Sequence, residues 1–280
     1  MFELANGRRV DNLAIDSMKN CSGKSGAMLL LVALLCWGAA QARAVVFDWD
    51  SVDWTSGGLS QSFDFDSSNA GNDITITITG STGNFTSGFP DDNTDLTGGL
   101  SPVQENLKFD VNHSNTSQEI TVTVTFHYPY GVDAVLWNFF DVDAGVNFFG
   151  SRTFVDEIRN IRATNTVGST VYPSSITTSS LNTNYGSGSS QRIIGLASSP
   201  ETAGTANATI NFGTNDITSL TFTYGSGTNS FSNPSQQFIG LHDFSFNVLI
   251  PEYHAGHFAA VGALLLVGWR AIRRLRLTPA

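Results

Sequence analysis

Cysteine is nearly missing from this 280-residue chain, and its two copies, Cys21 and Cys36, both fall within the first 40 residues. The stretch from Val45 to Ile250 therefore holds no disulfide and rests on packing for its stability, even in a compartment that would permit one. Without a thiol it cannot run cysteine-protease chemistry, and no G-x-S-x-G elbow offers a serine for esterase-type attack. Basic residues are almost as scarce. The same stretch carries 20 acidic side chains against Lys108, Arg152, Arg159, Arg162 and Arg192, a net of about −15. Such a field repels nucleic acid and attracts cations, which argues against a nucleic-acid partner. No H-E-x-x-H or similar zinc spacing links His113, His127 and His242. No long helical pattern and no repeat of solenoid or propeller length is present either.

Long apolar runs occur only at the ends. Residues 28–40 read MLLLVALLCWGAA, preceded by Lys19 and Lys24 and followed by Ala42-Arg43-Ala44. Small residues at Ala42 and Ala44 suit signal peptidase, so residues 1–44 read as a secretory signal cleaved after Ala44. Met18 opens MKNCSGKSG with its own two lysines and is an alternative start. Leu35, next to Cys36, is too bulky for lipoprotein processing.

At the other end, Pro251 and Glu252 precede an apolar stretch over 255–269, and Arg270, Arg273, Arg274 and Arg276 follow. By the positive-inside rule these arginines stay in the cytoplasm and leave the preceding domain outside that membrane. The apolar stretch spans only about 22 Å as a helix, short of a hydrocarbon core of about 30 Å, so it calls for snorkelling or bilayer thinning. Proline-glutamate, apolar run and arginine cluster, in that order, resemble the PEP-CTERM tail of exported proteins in exopolysaccharide-producing Gram-negative bacteria. Tyr253 stands where that family has a second proline. The resemblance implies a sorting and anchor segment over 251–280, an exosortase as processing partner, and a route through the membrane to the cell surface or extracellular matrix.

Between the two ends, strand signals recur. Ile74, Ile76 and Ile78 alternate with threonines, as do Ile120, Val122, Val124 and Phe126, then Leu220, Phe222 and Tyr224; Phe244, Phe246 and Val248 alternate with Ser245 and Asn247. Period two places one face inward and one outward, and Gly-, Asn- and Ser-rich turns bound each run. The pattern predicts an all-β domain over 45–250, an antiparallel two-sheet, jelly-roll-like sandwich flanked by the signal helix and the C-terminal hydrophobic helix. Leu136 to Phe140 reads as a central strand, the phase slip between Ile158 and Ile161 as a bulge or single helical turn, and residues 174–190 as a mobile loop.

The main chemical constellation is FFDVDAG followed by FVDEI, which offers Asp141, Asp143, Asp156 and Glu157. Asp141, Asp143 and Asp156 supply hard oxygens at the end of an apolar strand and across the next loop, the donor type calcium takes. Pro90 to Asp95 lacks the glycine and terminal glutamate of an EF-hand and reads as a solvated turn. Trp49, Trp54 and Trp137 are candidate stacking platforms for sugar, with packing of an initial strand the alternative for Trp49 and Trp54, which interleave with Asp48, Asp50 and Asp53. Asp141 and Asp156 are candidate acids for glycoside hydrolysis, which needs only two carboxylates across a cleft. The Thr-x-Thr rows, unconnected in sequence, fall short of an ice-binding repeat. Two functions follow as expectations: a non-enzymatic structural or binding protein of the surface or matrix, or a carbohydrate-binding module or glycoside hydrolase acting on exopolysaccharide.

Overall fold

A computed structural model describes residues 43–250; the signal and tail segments lie outside the described residues. Fifteen strands follow one another. They are β1 (Arg43–Phe47), β2 (Ser60–Phe63), β3 (Ile74–Gly80), β4 (Asp91–Asn93), β5 (Asn106–Val111), β6 (Glu119–Phe126), β7 (Val132–Phe140) and β8 (Asp156–Asn165). The rest are β9 (Thr170–Val171), β10 (Ser175–Thr178), β11 (Asn182–Tyr185), β12 (Arg192–Gly195), β13 (Ala208–Asn211), β14 (Ile217–Ser226) and β15 (Gln237–Val248). Among the described residues no helix is long and apolar enough to cross a membrane.

Every pairing is antiparallel. One layer runs β10-β13-β7-β15, with β5 and β4 beside the first half of β15 and β1 beside its second half. The other runs β2-β3-β6-β14-β8, with β12, β11 and β9 beyond β8. A single rung, Ile217 with Val132, joins β14 to β7, so the whole forms one curled sheet folded onto itself. Aromatic side chains lock the two halves face to face. Phe139 meets Phe222 with ring centroids 5.1 Å apart, Phe126 meets Phe246 at 5.2 Å, and Phe47 meets Phe63 at 5.0 Å, all edge-on. Edge-to-face contacts of this kind add to the stabilisation from burying large rings.

The alternation in sequence becomes the alternation in space. In β6, Ile120, Val122, Val124 and Phe126 are buried while Thr121, Thr123 and Thr125 face outward. The central position expected for Leu136 to Phe140 holds, since β7 lies between β13 and β15. The expected bulge holds too: β8 slips register against β14 between Thr221 and Thr223, and Asn160 there takes a φ of 54°.

Two expectations fail. Residues 174–190 form β10 and β11 rather than a mobile loop, and Asp91–Asn93 is a strand on β5 rather than a free turn. All three are edge strands of mostly polar residues, held by backbone hydrogen bonds more than by apolar burial, so they carry no hydrophobic period to read. The cleavage point expected after Ala44 falls inside β1, and a chain beginning at Val45 keeps the rungs from Val45, Val46 and Phe47 to β15.

Candidate functional site

The three aspartates do come together, at the end of the sheet where β7 stops and β8 begins. Asp141 follows β7 directly in a left-handed conformation, φ 62°, which an aspartate tolerates better than most residues. Asp143 and Asp156 then bond across the loop, the Asp156 amide donating to the Asp143 carbonyl at 2.9 Å and the Asp143 amide donating to Asp156 Oδ2 at 3.1 Å. Tyr224 donates its hydroxyl to Asp156 Oδ1 at 2.6 Å, and the Ser199 amide donates to Asp143 Oδ2 at 2.6 Å. Gly195 of β12 presses so closely on this segment that a Cβ there would lie 1.8 Å from the Asp143 carbonyl oxygen.

All three carboxyls are buried rather than placed at an open rim. Burial pushes Asp141 up to about 8, with the charge of Asp143 adding to it, and pushes Asp143 up to about 6. Asp156, wholly enclosed, is raised well above the ordinary carboxylate range by the same cause. Among the described residues no group of three or more His, Cys, Asp or Glu side chains is arranged to hold a metal ion. The calcium expectation thus finds no ligand set. Both oxygens of Asp156 and one of Asp143 are taken up by internal donors, and these side chains tie loop to sheet.

The tryptophan platforms fail for a simpler reason. Trp49, Trp54 and Trp137 are core residues and present no stacking face to solvent. Trp137 stacks on Phe139 and donates its indole N–H to the His242 carbonyl at 2.7 Å, while Trp54 donates its own to the Gly58 carbonyl at 3.2 Å.

An open groove of about 420 Å³ lies where β8, β11 and β12 meet the short turn at Gly188–Ser190. Its wall is a β-hairpin, in which Tyr185 stands directly opposite Arg192. The Arg192 guanidinium sits over the Tyr185 ring, 5.9 Å from its centroid, and donates to Glu157 Oε1 at 3.2 Å. Arg159 approaches Glu157 Oε2 at 3.6 Å and also pairs with Glu119. Gly186 makes the tight corner possible: its φ is 75°, and a Cβ there would meet the Ser190 carbonyl oxygen. Asn160 and Gln191 complete the lining, and Gln191 Oε1 has no protein partner. Half-exposed Tyr185 and Arg192 offer a flat aromatic face beside fixed hydrogen-bond donors, with the buried Glu157 carboxylate holding the guanidinium in place.

Glu157 belongs to the acidic constellation read in the sequence, and Arg159 and Arg192 to its few basic residues, but nothing in the sequence joins them to Tyr185 as one site. Tyr185 and Arg192 lie seven residues apart around a turn rich in serine and glycine, and the hairpin that pairs them has almost no apolar pattern. Asp141 and Asp156 do not line the groove.

No family model and no curated protein matches the chain. A solved structure, TmCBM61 in complex with β-1,4-galactotriose, is similar with a TM-score of 0.33 and 9% identity, over 61% of this chain and 86% of that one. A likeness of that size carries no weight for fold or ligand.

Proposed function

We propose that this chain is an exported, non-catalytic protein of the cell surface or extracellular matrix that holds polysaccharide in the groove of Tyr185 and Arg192. The observation that carries this reading is the pairing of an exposed tyrosine face with a guanidinium fixed by a buried carboxylate. Sugar rings offer an apolar C–H face and a rim of hydroxyls, and such a groove meets both, by stacking and by planar hydrogen bonding. Hydrolysis of a glycosidic bond needs two carboxyl groups across the scissile bond. The groove supplies Glu157, which is bound to Arg159 and Arg192. Delivery follows from the end segments, with an exosortase-type enzyme acting on the tail after Pro251 and Glu252.

A glycan array probed with the full chain, Tyr185→Ala and Arg192→Ala tests the binding half. Retention of one glycan class by the wild type and its loss in both variants is the expected outcome. Silence across neutral and acidic glycans, or binding that survives both substitutions, removes the groove from consideration. Release of new reducing ends from a polysaccharide would restore the hydrolase reading. For delivery, mass spectrometry of secreted material from an exosortase-bearing host should find the protein without Arg270 to Arg276.

A further inference from the structure

After Asp143 the chain makes a small, well-built finger. Val146 and Arg152 form a bridge, Thr153 donates its amide to the Gly145 carbonyl at 2.8 Å, and Asn147 donates to Ser151 at 2.9 Å. Gly150 closes the turn back onto the Asn147 carbonyl at 2.9 Å with a φ of 78°. Inside the turn, the Asn147 side-chain oxygen accepts from the amides of Phe149 and Ser151, at 3.0 and 2.9 Å. The base is held as firmly, because Gly145 has no Cβ to collide with the Phe154 ring and Arg152 Nη2 donates to the Leu196 carbonyl at 3.0 Å.

This scaffold presents Phe148 and Phe149 at its tip, 98% and 87% exposed, with rings 5.6 Å apart and edge-on to each other. Val146 on the same finger and Phe231, whose amide donates to the Arg152 carbonyl, extend the apolar patch around the base. Two adjacent phenylalanines left almost wholly in water cost free energy in the isolated protein, and an ordered turn that holds them there marks an interaction site.

We propose that the Phe148–Phe149 finger inserts into the interfacial region of a lipid bilayer. Three features favour lipid over a protein partner. The tip is convex, so it suits a fluid medium that needs no complementary pocket. Residues 144–151 carry no charge, as burial among acyl chains requires. Finally, a second copy of a body with a net of about −15 is repelled, whereas a zwitterionic lipid surface is not. The finger also stands at one end of the described domain. The end of β7 pairs with the beginning of β15, at Gly240 and Leu241, while Val248 pairs with Val132 at the start of β7. The base of the finger therefore lies at the end of the sheet opposite to Ile250, the last described residue, the two ends being separated by the nine-residue β7, about 30 Å long.

Flotation with phosphatidylcholine vesicles tests the idea, using the segment 43–250, which encloses its own core. The segment should float with the vesicles, and Phe148→Ser/Phe149→Ser should lower its partition coefficient at least about tenfold, given the apolar area removed. The full chain also carries the apolar stretch over 255–269, which holds vesicles by itself on the reading above, so the partition coefficient is compared on the segment. Because neither ring belongs to the core, the double variant should keep the wild-type melting temperature, so lost flotation does not report unfolding. Tyr185→Ala should float like the wild type, which separates this site from the groove. A segment that stays in the soluble fraction, or a double variant that still floats, overturns the proposal. So does concentration-dependent self-association that the double substitution abolishes, which would make the finger a dimer contact.

Discussion

The Tyr224 hydroxyl donates to Asp156 Oδ1 at 2.6 Å inside a fully enclosed pocket, joining the far end of β14 to the first residue of β8. Asp156 has little choice of partner, since its other oxygen receives the Asp143 amide. Loss of the tyrosine hydroxyl leaves a buried carboxyl oxygen without a donor, at a cost of about 1–3 kcal/mol. Tyr224→Phe should therefore unfold at lower urea with an unchanged m-value, as the fold exposes the same surface. A midpoint equal to that of the wild type would show that water satisfies Asp156 instead.

Gly195 tests the same junction from the backbone side. A Cβ at this position would lie 1.8 Å from the Asp143 carbonyl oxygen and 2.2 Å from its carbon, and main-chain atoms cannot rotate away. Gly195→Ala should cost at least about 3 kcal/mol, above the ordinary range for core overpacking. Gly83 serves as the control, because a Cβ there meets nothing within 4 Å. Gly83→Ala should be neutral or stabilise by about 0.4–1 kcal/mol through the unfolded chain. Equal melting temperatures for the two variants would contradict the packing described at Asp143.

The inner face of the fold was legible in the sequence and the outer edges were not, for a physical reason. Ile120, Val122 and Val124 sit on a strand packed on one face only, so burial imprints period two on the chain. In β10 and β11 backbone hydrogen bonds do most of the work, and Ser, Thr and Asn can occupy such edges without any period. The candidate site shows the same divide. Asp141, Asp143 and Asp156 announced themselves as a cluster, but their burial depends on Gly195, Ser199 and Tyr224, which are remote in sequence. Asp48, Trp49 and Asp50 interleave acid and aromatic in sequence, and a short helical turn places Trp49 alone in the core. The threonine rows that appear unconnected are in register on one face, Thr77, Thr123 and Thr221 standing side by side across β3, β6 and β14.

Calcium should have little effect on stability. A native-state ligand raises stability by about 2.7 kcal/mol when present at 100 times its dissociation constant. Both oxygens of Asp156 and one of Asp143 are already engaged by Tyr224, the Asp143 amide and Ser199, which leaves Asp141, whose buried Oδ1 has no partner, without a set of free carboxylates beside it. Segment 43–250 should melt at the same temperature in millimolar calcium as with chelator. A rise with calcium that disappears in Asp141→Ala would reinstate a metal site at this loop.

Asp141 gives the domain a pH dependence opposite in sign to that of a salt-bridged carboxylate. Its proton is held up to about pH 8 in the folded protein but leaves near the ordinary 3.8 once the chain unfolds. Between those values the folded state binds the additional proton, so stability falls as pH rises, by up to about 1.4 kcal/mol per pH unit for one such group. Asp143 contributes in the same direction only up to about 6. His113 acts the other way, since burial lowers it from 6.5 to about 4 and the unfolded chain then takes up the proton as pH falls. The histidine is still half protonated in the unfolded chain at pH 6.5, but His113 is present in wild type and variant alike, so its contribution cancels when the two are compared. Asparagine has the shape of a protonated aspartate and tolerates the left-handed φ of 62° at this position. Asp141→Asn should therefore be more stable than the wild type at pH 8, with the advantage shrinking toward pH 6.5. Urea midpoints at half-unit steps across that interval would show two lines converging on the acid side, whereas parallel lines, or a variant weaker at pH 8, would mean that Asp141 is ionised in the folded protein.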